Sequence, residues 1–233
     1  MRRGVRLAGT LLILAGLGLL AWGFTIWRWQ DPFTAVYTHL EQRELEQSYE
    51  RRAAAFAPPA DAAPTTSPAD PGQVEQQIAA AARRYREGLK SGDPVGRLQI
   101  PRLGLTIMIV EGTETEPLKR GPGRFSDLLV PGEGGLVYVA GHRTTYSAPF
   151  SRIDTLRPGD PVFVDVPYGR FEYRVTGHRI VRADDVSVLR SRGEEVLALQ
   201  ACHPRFFASH RYIAYAKPVS VTPSGGTATA IGR

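Results

Sequence analysis

Cysteine is almost absent from this sequence: Cys202 stands alone among 233 residues. One cysteine cannot form an intramolecular disulfide, and it cannot supply a zinc site of the Cys₄ or Cys₂His₂ type. Both usual structural uses of cysteine are therefore excluded. The thiol of Cys202 is either a small buried packing group or a chemically active one.

Acidic residues are in the minority, with 23 Asp and Glu against 29 Lys and Arg, which gives a net charge of +6. A basic protein of this kind is suited to an anionic surface such as nucleic acid, membrane headgroups or a cell wall. The basic residues are scattered along the chain and do not form a patch. We therefore predict no nucleic-acid partner.

Charge is missing altogether from residues 7–27, an apolar run of 21 residues. A helix of that length crosses a hydrocarbon core of about 30 Å. Because Arg2, Arg3 and Arg6 precede it, residues 1–6 are predicted to be a cytoplasmic tail and the chain after residue 27 to lie outside.

A cleaved signal peptide is the alternative for this segment. The run is longer than the usual apolar region of a signal peptide, and no clear cleavage site follows it, which favours a retained transmembrane anchor at residues 7–27. An unpaired thiol is unusual outside the cytoplasm. The location therefore points to a functional role for Cys202.

Residues 28–91 are predicted to be an extracytoplasmic spacer. Apolar side chains recur at helical spacing from Phe33 to Tyr49, and QVEQQIAAAARRYREGLK is a second helical stretch. Between them, residues 57–72 include five prolines, a composition that favours an extended linker.

Short β-branched and apolar runs separated by Gly, Pro and Asp begin near residue 92. This texture predicts an all-β domain over residues 92–222, either a closed barrel or a sandwich. Residues 223–233 show no periodicity and are predicted to be a disordered tail.

Two strand ends carry candidate catalytic groups. His142 follows the run GLVYVAG at the start of a loop, and Cys202 closes the run VLALQAC. Arg205 and Arg211 lie close to Cys202 in the sequence, and neighbouring cations lower a thiol pKa and favour the thiolate. A metal site built from Cys202, His203 and His210 is the weaker alternative because no carboxylate is nearby, and no cofactor is predicted.

Three motifs follow one another in the sequence, namely VAGHRTTYSAPF, ALQACHP and HRYIAYAK. Through these motifs the sequence resembles the sortase family, and most closely the class E sortases of actinobacteria. The resemblance extends over about residues 96–221. It implies an eight-stranded sortase β-barrel with short helices. It also implies that His142, Cys202 and Arg211 are the catalytic histidine, cysteine and arginine of a cysteine transpeptidase.

The same resemblance implies a substrate. Sortases of this kind cleave a C-terminal Leu-x-x-Thr-Gly-like sorting signal, with Leu-Ala-x-Thr-Gly expected for class E, and join the surface protein to an amine of a peptidoglycan precursor or a pilin. Tyr146 matches a loop tyrosine of class E, and it is expected to contact the substrate together with Ala201. Ala198 and Ala201 stand where the family usually has threonines.

Two other functions remain as alternatives. A cysteine-dependent L,D-transpeptidase needs a His-Gly and a Ser-x-Gly-Cys run, which this sequence lacks. A non-catalytic, membrane-anchored wall-binding or scaffold domain would leave Cys202 buried and inert.

Overall fold

The computed structural model describes residues 2–28, 32–56, 71–191 and 193–231. Four helices lie within these ranges, namely α1 (Arg2–Arg28), α2 (Pro32–Ala55), α3 (Pro71–Glu87) and α4 (Thr115–Arg120). The same ranges contain nine strands, namely β1 (Pro94–Ile100), β2 (Leu105–Glu111), β3 (Gly123–Arg124), β4 (Leu136–Gly141), β5 (Pro161–Val166), β6 (Gly169–Arg182), β7 (Val196–His203), β8 (His210–Pro223) and β9 (Thr229–Ala230).

Eight of the strands close into a barrel. The hydrogen-bonded order is β6-β5-β1-β2-β3-β4-β7-β8, and the long pairing of β6 with β8 joins the two ends of the sheet. Closure removes both free sheet edges, and β9 is added to β8 outside the ring. The predicted eight-stranded sortase-type barrel with short helices is confirmed.

The barrel interior is filled by alternate residues of the strands, since successive side chains of a strand point to opposite faces. Strands β4, β7 and β8 lie side by side in the barrel. Their interior side chains are Val137 and Val139 of β4, Leu197, Leu199 and Ala201 of β7, and Tyr212, Ala214 and Ala216 of β8. A second apolar cluster covers the outer face of the same strands with Tyr138, Ala198 and Ile213.

Strand β3 is only two residues long, yet it connects β2 to β4. Its Arg124 is buried and forms a bidentate ion pair with Glu111 of β2. The same guanidinium donates to the carbonyls of Phe125 and Leu128. A buried arginine needs such partners for its charge, and here they fix the chain that leads into β4.

Helix α1 contains the predicted membrane anchor. Its Arg3–Phe24 segment has a mean hydropathy of 2.0, and none of it is buried against the rest of the chain. By length and composition this helix could cross a membrane. A signal sequence has the same properties.

The two helices predicted for the spacer both pack against the barrel. Val74, Ile78 and Tyr85 of α3 belong to the main apolar core. The Gln42 amide of α2 accepts a bond from the Met108 backbone N–H at 2.6 Å and donates to the Met108 carbonyl at 3.1 Å. The helices therefore belong to the folded unit, and the proline-rich stretch at 57–70 lies outside the described residues.

The end of the chain differs from the expected disordered tail. After a turn in which Gly226 N–H donates to the Pro223 carbonyl, Thr229–Ala230 forms β9 against β8. The turn folds the tail back because Gly225 adopts a φ of 78°, which glycine reaches without steric cost. Residues 232–233 lie outside the described ranges.

Candidate active site

The three residues expected to be catalytic meet at one end of three adjacent strands. Strands β4 and β7 are parallel, and their last paired residues are Gly141 and Ala201. His142 and Cys202 are the next residues along these two strands. Cys202 is in turn paired with Arg211 across the antiparallel β7–β8 ladder.

These side chains belong to the outer face of the barrel. Leu199 and Ala201 of β7 point inward, so the alternation directs Ala198, Gln200 and Cys202 outward. Arg211 precedes the inward Tyr212 and is on the same outer face. Cys202 is half-buried, which leaves its sulfur accessible to a peptide lying on this face.

The loop after β4 holds its shape through local contacts. The N–H of Phe150 donates to the His142 carbonyl at 3.1 Å, which closes the loop. Gly141 is required just before it, because a Cβ there would be 2.6 Å from the Phe150 ring. Tyr146 and Ala148 adopt φ values of 51° and 39°, a left-handed conformation that is costly for residues other than glycine.

Helix α2 supports this strained loop from outside. The N–H of Tyr146 donates to Thr34 Oγ1 at 2.9 Å, and Ser147 Oγ donates to the Ala35 carbonyl. The ring of Tyr37 contacts Tyr146 edge-on at 6.5 Å between centroids. The first two turns of α2 thus fix the loop that begins at His142.

Tyr146 packs on the candidate catalytic histidine. Its ring centroid is 5.0 Å from that of His142, at an interplanar angle of 36°. Burial lowers the pKa of His142 because the charged imidazolium loses hydration. The neutral imidazole is therefore favoured near neutral pH, which suits a group that accepts a proton.

Arg211 holds the connection between β7 and β8. Its Nη1 donates to the carbonyls of Ala208 at 2.8 Å and His210 at 3.0 Å. Arg205, the other arginine close to Cys202 in the sequence, has a buried Nε without a hydrogen-bond partner, and its guanidinium lies 5.7 Å from the Phe206 ring. The register therefore favours Arg211 as the cation beside Cys202.

A third arginine at the site, Arg143, is not identified by the sequence reasoning. Its Nη1 donates to the Cys202 carbonyl at 3.2 Å and contacts His203 Nδ1 at 2.9 Å. Its Nη2 forms an ion pair with Asp154 at 2.7 Å. The one available signal is its position directly after His142, because the partners are 11 to 60 residues away in the sequence.

Ala201 is not at the surface of the groove. It has 0% exposure and packs inside the barrel, because the strand alternation that directs Cys202 outward directs its neighbour inward. The expectation that Ala201 contacts the substrate is therefore not met by this arrangement. Ala198 is on the outer face, where it is covered by the second apolar cluster.

A cavity of about 230 Å³ opens on the same outer face. It is lined by Leu136 of β4, Val196 of β7, Tyr215 of β8 and, from the β6–β7 connection, Val188 and Arg190. Val196 is six residues before Cys202, which corresponds to about 20 Å along a strand. The cavity and the Cys202 thiol thus lie at opposite ends of the same outer face of the barrel.

The described residues contain no group of three or more His, Cys, Asp or Glu side chains placed to hold a metal ion. Around Cys202 the neighbouring groups are arginines and histidines. The chemistry offered by the site is that of a thiol, an imidazole and fixed positive charge.

Comparison with known proteins gives a consistent result. The family profile described as "Sortase domain" matches residues 98–219, which is more than half of the chain. The chain is 36% identical to Sortase D of Bacillus subtilis over 135 residues, or 56% of this chain and 67% of the relative. It is 28% identical to a sortase E1 of Streptomyces coelicolor over 62% of this chain and 46% of the relative.

Solved structures show the same architecture. Sortase E from Streptomyces avermitilis is similar with a TM-score of 0.53 and 34% identity, covering 58% of this chain and 94% of that structure. The crystal structure of Sortase E1 from Streptomyces coelicolor, which has a tripeptide in its active site, is similar with a TM-score of 0.54 and 28% identity at the same coverage.

Proposed function

Because the chain belongs to the sortase family, whose members are cysteine transpeptidases, we propose that it cleaves a C-terminal sorting signal and joins the freed protein to a cell-wall amine. The observation that carries the proposal is the register that aligns Cys202 with His142 and with Arg211. We assign these three residues the catalytic roles.

Cys202 is the nucleophile. Its thiolate attacks the carbonyl of the scissile peptide bond, and the bond to the leaving amine breaks, which leaves the N-terminal part of the substrate as a thioester. An acceptor amine then attacks the thioester, forms a new amide and releases the thiolate. Cleavage and joining are the two halves of one cycle.

His142 transfers the protons. It accepts the proton of the Cys202 thiol as the thiolate forms, donates that proton to the leaving amine in the first half of the cycle, and accepts one from the incoming amine in the second. Its lowered pKa favours the proton-accepting form between these steps. The contact with Tyr146 limits the orientations of the imidazole.

Arg211 stabilises the transition state. Its charge is permanent, and its guanidinium retains donors that are directed neither at Ala208 nor at His210. Donation to the oxyanion that forms on the attacked carbonyl would supply the usual electrostatic stabilisation, and the loss of one such donor costs on the order of 10² to 10³ in rate.

The substrate lies extended along the outer face. A signal of the Leu-Ala-x-Thr-Gly type spans about 13 Å from its first residue to the scissile bond, so it fits between Cys202 and the cavity near Val196. Sortase E1 from Streptomyces coelicolor has a tripeptide in its active site, which supports the proposal that this chain also binds a peptide at its active site. We place Tyr146 next to the second residue of the signal.

The acceptor is an amine of a peptidoglycan precursor or of a pilin. Both are outside the cell, which fits α1 as a single-pass anchor with the barrel on the extracytoplasmic side. Surface proteins with a sorting signal are then the protein partners.

The experiment uses the full chain in detergent, a fluorescent Leu-Ala-x-Thr-Gly peptide and an amine acceptor. Cys202→Ala should abolish both cleavage and transfer, and no thioester should be found by mass spectrometry. His142→Ala and Arg211→Ala should each lower kcat by at least 10²-fold. His39→Ala, which changes an exposed histidine of α2, is the matched control and should retain activity. Transfer by the Cys202→Ala protein would exclude the covalent mechanism.

A further inference from the structure

Arg143 is one of three charged residues that are buried in the part of the chain that the structure describes. Only 3% of it is exposed, and its guanidinium lies 6.0 Å from the centre of the Tyr212 ring. A charge is removed from water at this depth only when it gains strong partners. Arg143 has three such partners, and two of them are in the strand that ends with the nucleophile.

The partners require an arginine. Nη1 donates to the carbonyl of Cys202 and contacts His203 Nδ1, while Nη2 pairs with Asp154. The planar guanidinium of arginine, with its two-pronged set of N–H donors (the fork), can bind these groups at the same time, whereas a lysine ammonium concentrates its charge at one point. Since a guanidinium only donates, His203 Nδ1 must accept, which keeps that ring neutral with its proton on Nε2. The pKa of His203 is lowered in agreement, by desolvation first and then by Arg143.

The position of Arg143 in the chain matters as much as its contacts. It directly follows His142, so its backbone continues from the candidate proton carrier at the end of β4. Its side chain reaches the carbonyl of Cys202 at the end of β7. One residue therefore connects the two strand ends whose separation decides whether thiol and imidazole can exchange a proton.

We propose that Arg143 is a positioning residue of the transpeptidation reaction: its guanidinium binds the backbone carbonyl of Cys202 and so holds the nucleophile beside His142. The proposal rests on the proposed function for the role of Cys202. Arg143 itself does not contact the substrate and acts through the nucleophile.

Other charged and titratable groups lie around Arg143 and Cys202 at this end of the barrel. They are His142 on the loop after β4, His203 on β7, Arg205 on the β7–β8 connection, His210 and Arg211 on β8, and Asp154 on the Ile153–Thr155 turn. The Asp154 side chain is 48% exposed, so water screens its charge more strongly than that of the buried guanidinium.

Two substitutions separate geometry from charge. Arg143→Met removes both, while Arg143→Lys keeps the charge and loses the fork. The matched control is Arg152→Met, which removes another arginine of the same loop whose Nη2 donates to the Leu103 carbonyl. Each variant is measured as the full chain for kcat and KM, for thermal unfolding, and for the rate of Cys202 alkylation by iodoacetamide at neutral pH. The chain has one cysteine, so alkylation reports on a single thiol.

Arg143→Met should lower kcat at least tenfold with KM within about twofold, because one hydrogen bond to a charged donor and its alignment are lost. Its rate of Cys202 alkylation should fall several-fold, because the thiol loses its alignment with the imidazole that accepts its proton. Arg143→Lys should also lose several-fold in kcat, because the ammonium cannot bind all three partners at once. Arg152→Met should change neither quantity.

Asp154→Asn provides an independent check if Arg143→Met fails to fold. It releases one side of the guanidinium and should lower both kcat and the alkylation rate a few-fold, because Arg143 then keeps only its two partners in β7. The proposal is overturned if Arg143→Met folds with wild-type kcat and alkylation rate, or if it loses stability and activity without a change in alkylation rate. The alkylation assay needs no substrate, so it tests Arg143 even if the transfer assay contradicts the proposed function.

Discussion

At the scale of single residues, Tyr146 combines backbone strain with a contact to His142, the proposed catalytic histidine. Its φ of 51° directs the chain so that the ring packs 5.0 Å from His142, and Thr34 Oγ1 accepts its N–H. A non-glycine residue keeps such a conformation only when its surroundings enforce it. We therefore expect the ring of Tyr146 to have a function in substrate selection.

Tyr146→Ala should reduce the preference for a peptide with Ala over one with Leu at the second signal position. A side chain that narrows an apolar subsite discriminates such groups by about 1–3 kcal/mol, and removal of the ring enlarges the subsite. The measurement is the ratio of kcat/KM for the two peptides. Tyr146→Phe keeps the ring and should keep the ratio. An unchanged ratio in Tyr146→Ala would mean that the ring does not line the subsite.

His142 makes the stability of the protein depend on pH. Burial lowers its pKa in the folded state below the ordinary value of 6.5, so the unfolded chain binds a proton more readily. Its contribution to stability is fully present above that value. As the pH falls below about 6.5 this contribution decreases, and the loss is complete once the pH is below the lowered pKa of the folded state. The total loss is about 1.4 kcal/mol for each unit by which the pKa values of the folded and unfolded states differ.

Urea unfolding of the wild type and of His142→Gln at pH 7.5, 6.0 and 5.0 tests this dependence. The wild type should lose more unfolding free energy on acidification than the variant does. His39→Gln, an exposed substitution on α2, should follow the wild type. An equal loss of unfolding free energy on acidification in the wild type and in His142→Gln would contradict this role of His142.

At the scale of elements, α2 acts as a support for the catalytic loop. Two threonines one turn apart contact different parts of the barrel. Thr34 Oγ1 accepts from Tyr146 N–H, and Thr38 Oγ1 donates to the Lys119 carbonyl at the end of α4. The same helix thus touches the active site with its first turn and a remote helix with its second.

Thr34→Val should lower kcat about 2- to 10-fold with little change in stability, because the strained loop loses the acceptor that fixes Tyr146. Thr38→Val, with the same change of atoms, should lower the unfolding free energy by about 1 kcal/mol and leave kcat unchanged. Peptide turnover and thermal unfolding of both full-length variants provide the comparison. Equal effects on kcat would show that α2 supports the barrel generally and not the loop.

The strands could be predicted from the sequence because each depends on a local pattern, whereas the choice of a closed eight-stranded barrel, and of His142, Cys202 and Arg211 as its catalytic residues, depends on the family resemblance of three ordered motifs. The packing of α2 could not be predicted, because its polar contacts pair residues 66 to 112 apart in the sequence. The partners of Arg143 could not be predicted for the same reason. The expected substrate contact of Ala201 does not fit its burial, because a residue next to Cys202 in a strand points to the opposite face.

At the scale of the whole molecule, topology decides whether the site can meet its substrates. The arginines at positions 2, 3 and 6 precede the apolar segment of α1 and predict a cytoplasmic N-terminus. Everything from α2 onward is then outside the membrane, together with the acceptor amines.

Protease added to intact spheroplasts should therefore digest the barrel, while a cytoplasmic marker protein in the same sample stays whole. A tag placed before Arg2 should survive on a fragment of the size of α1. Complete protection of the barrel until detergent is added would reverse the topology and remove the enzyme from the cell wall.

The contact between Thr34 and Tyr146 also limits how far the active site can stand from the bilayer. Five residues lie between Arg28, at the end of α1, and Thr34, and the six Cα–Cα steps that this makes reach at most about 20 Å. With α1 across the membrane, the catalytic loop therefore works within a thin layer above the lipid. With that placement, we expect the proposed substrates and acceptors to be ones that are themselves held in the membrane, which the enzyme would meet by lateral diffusion in two dimensions.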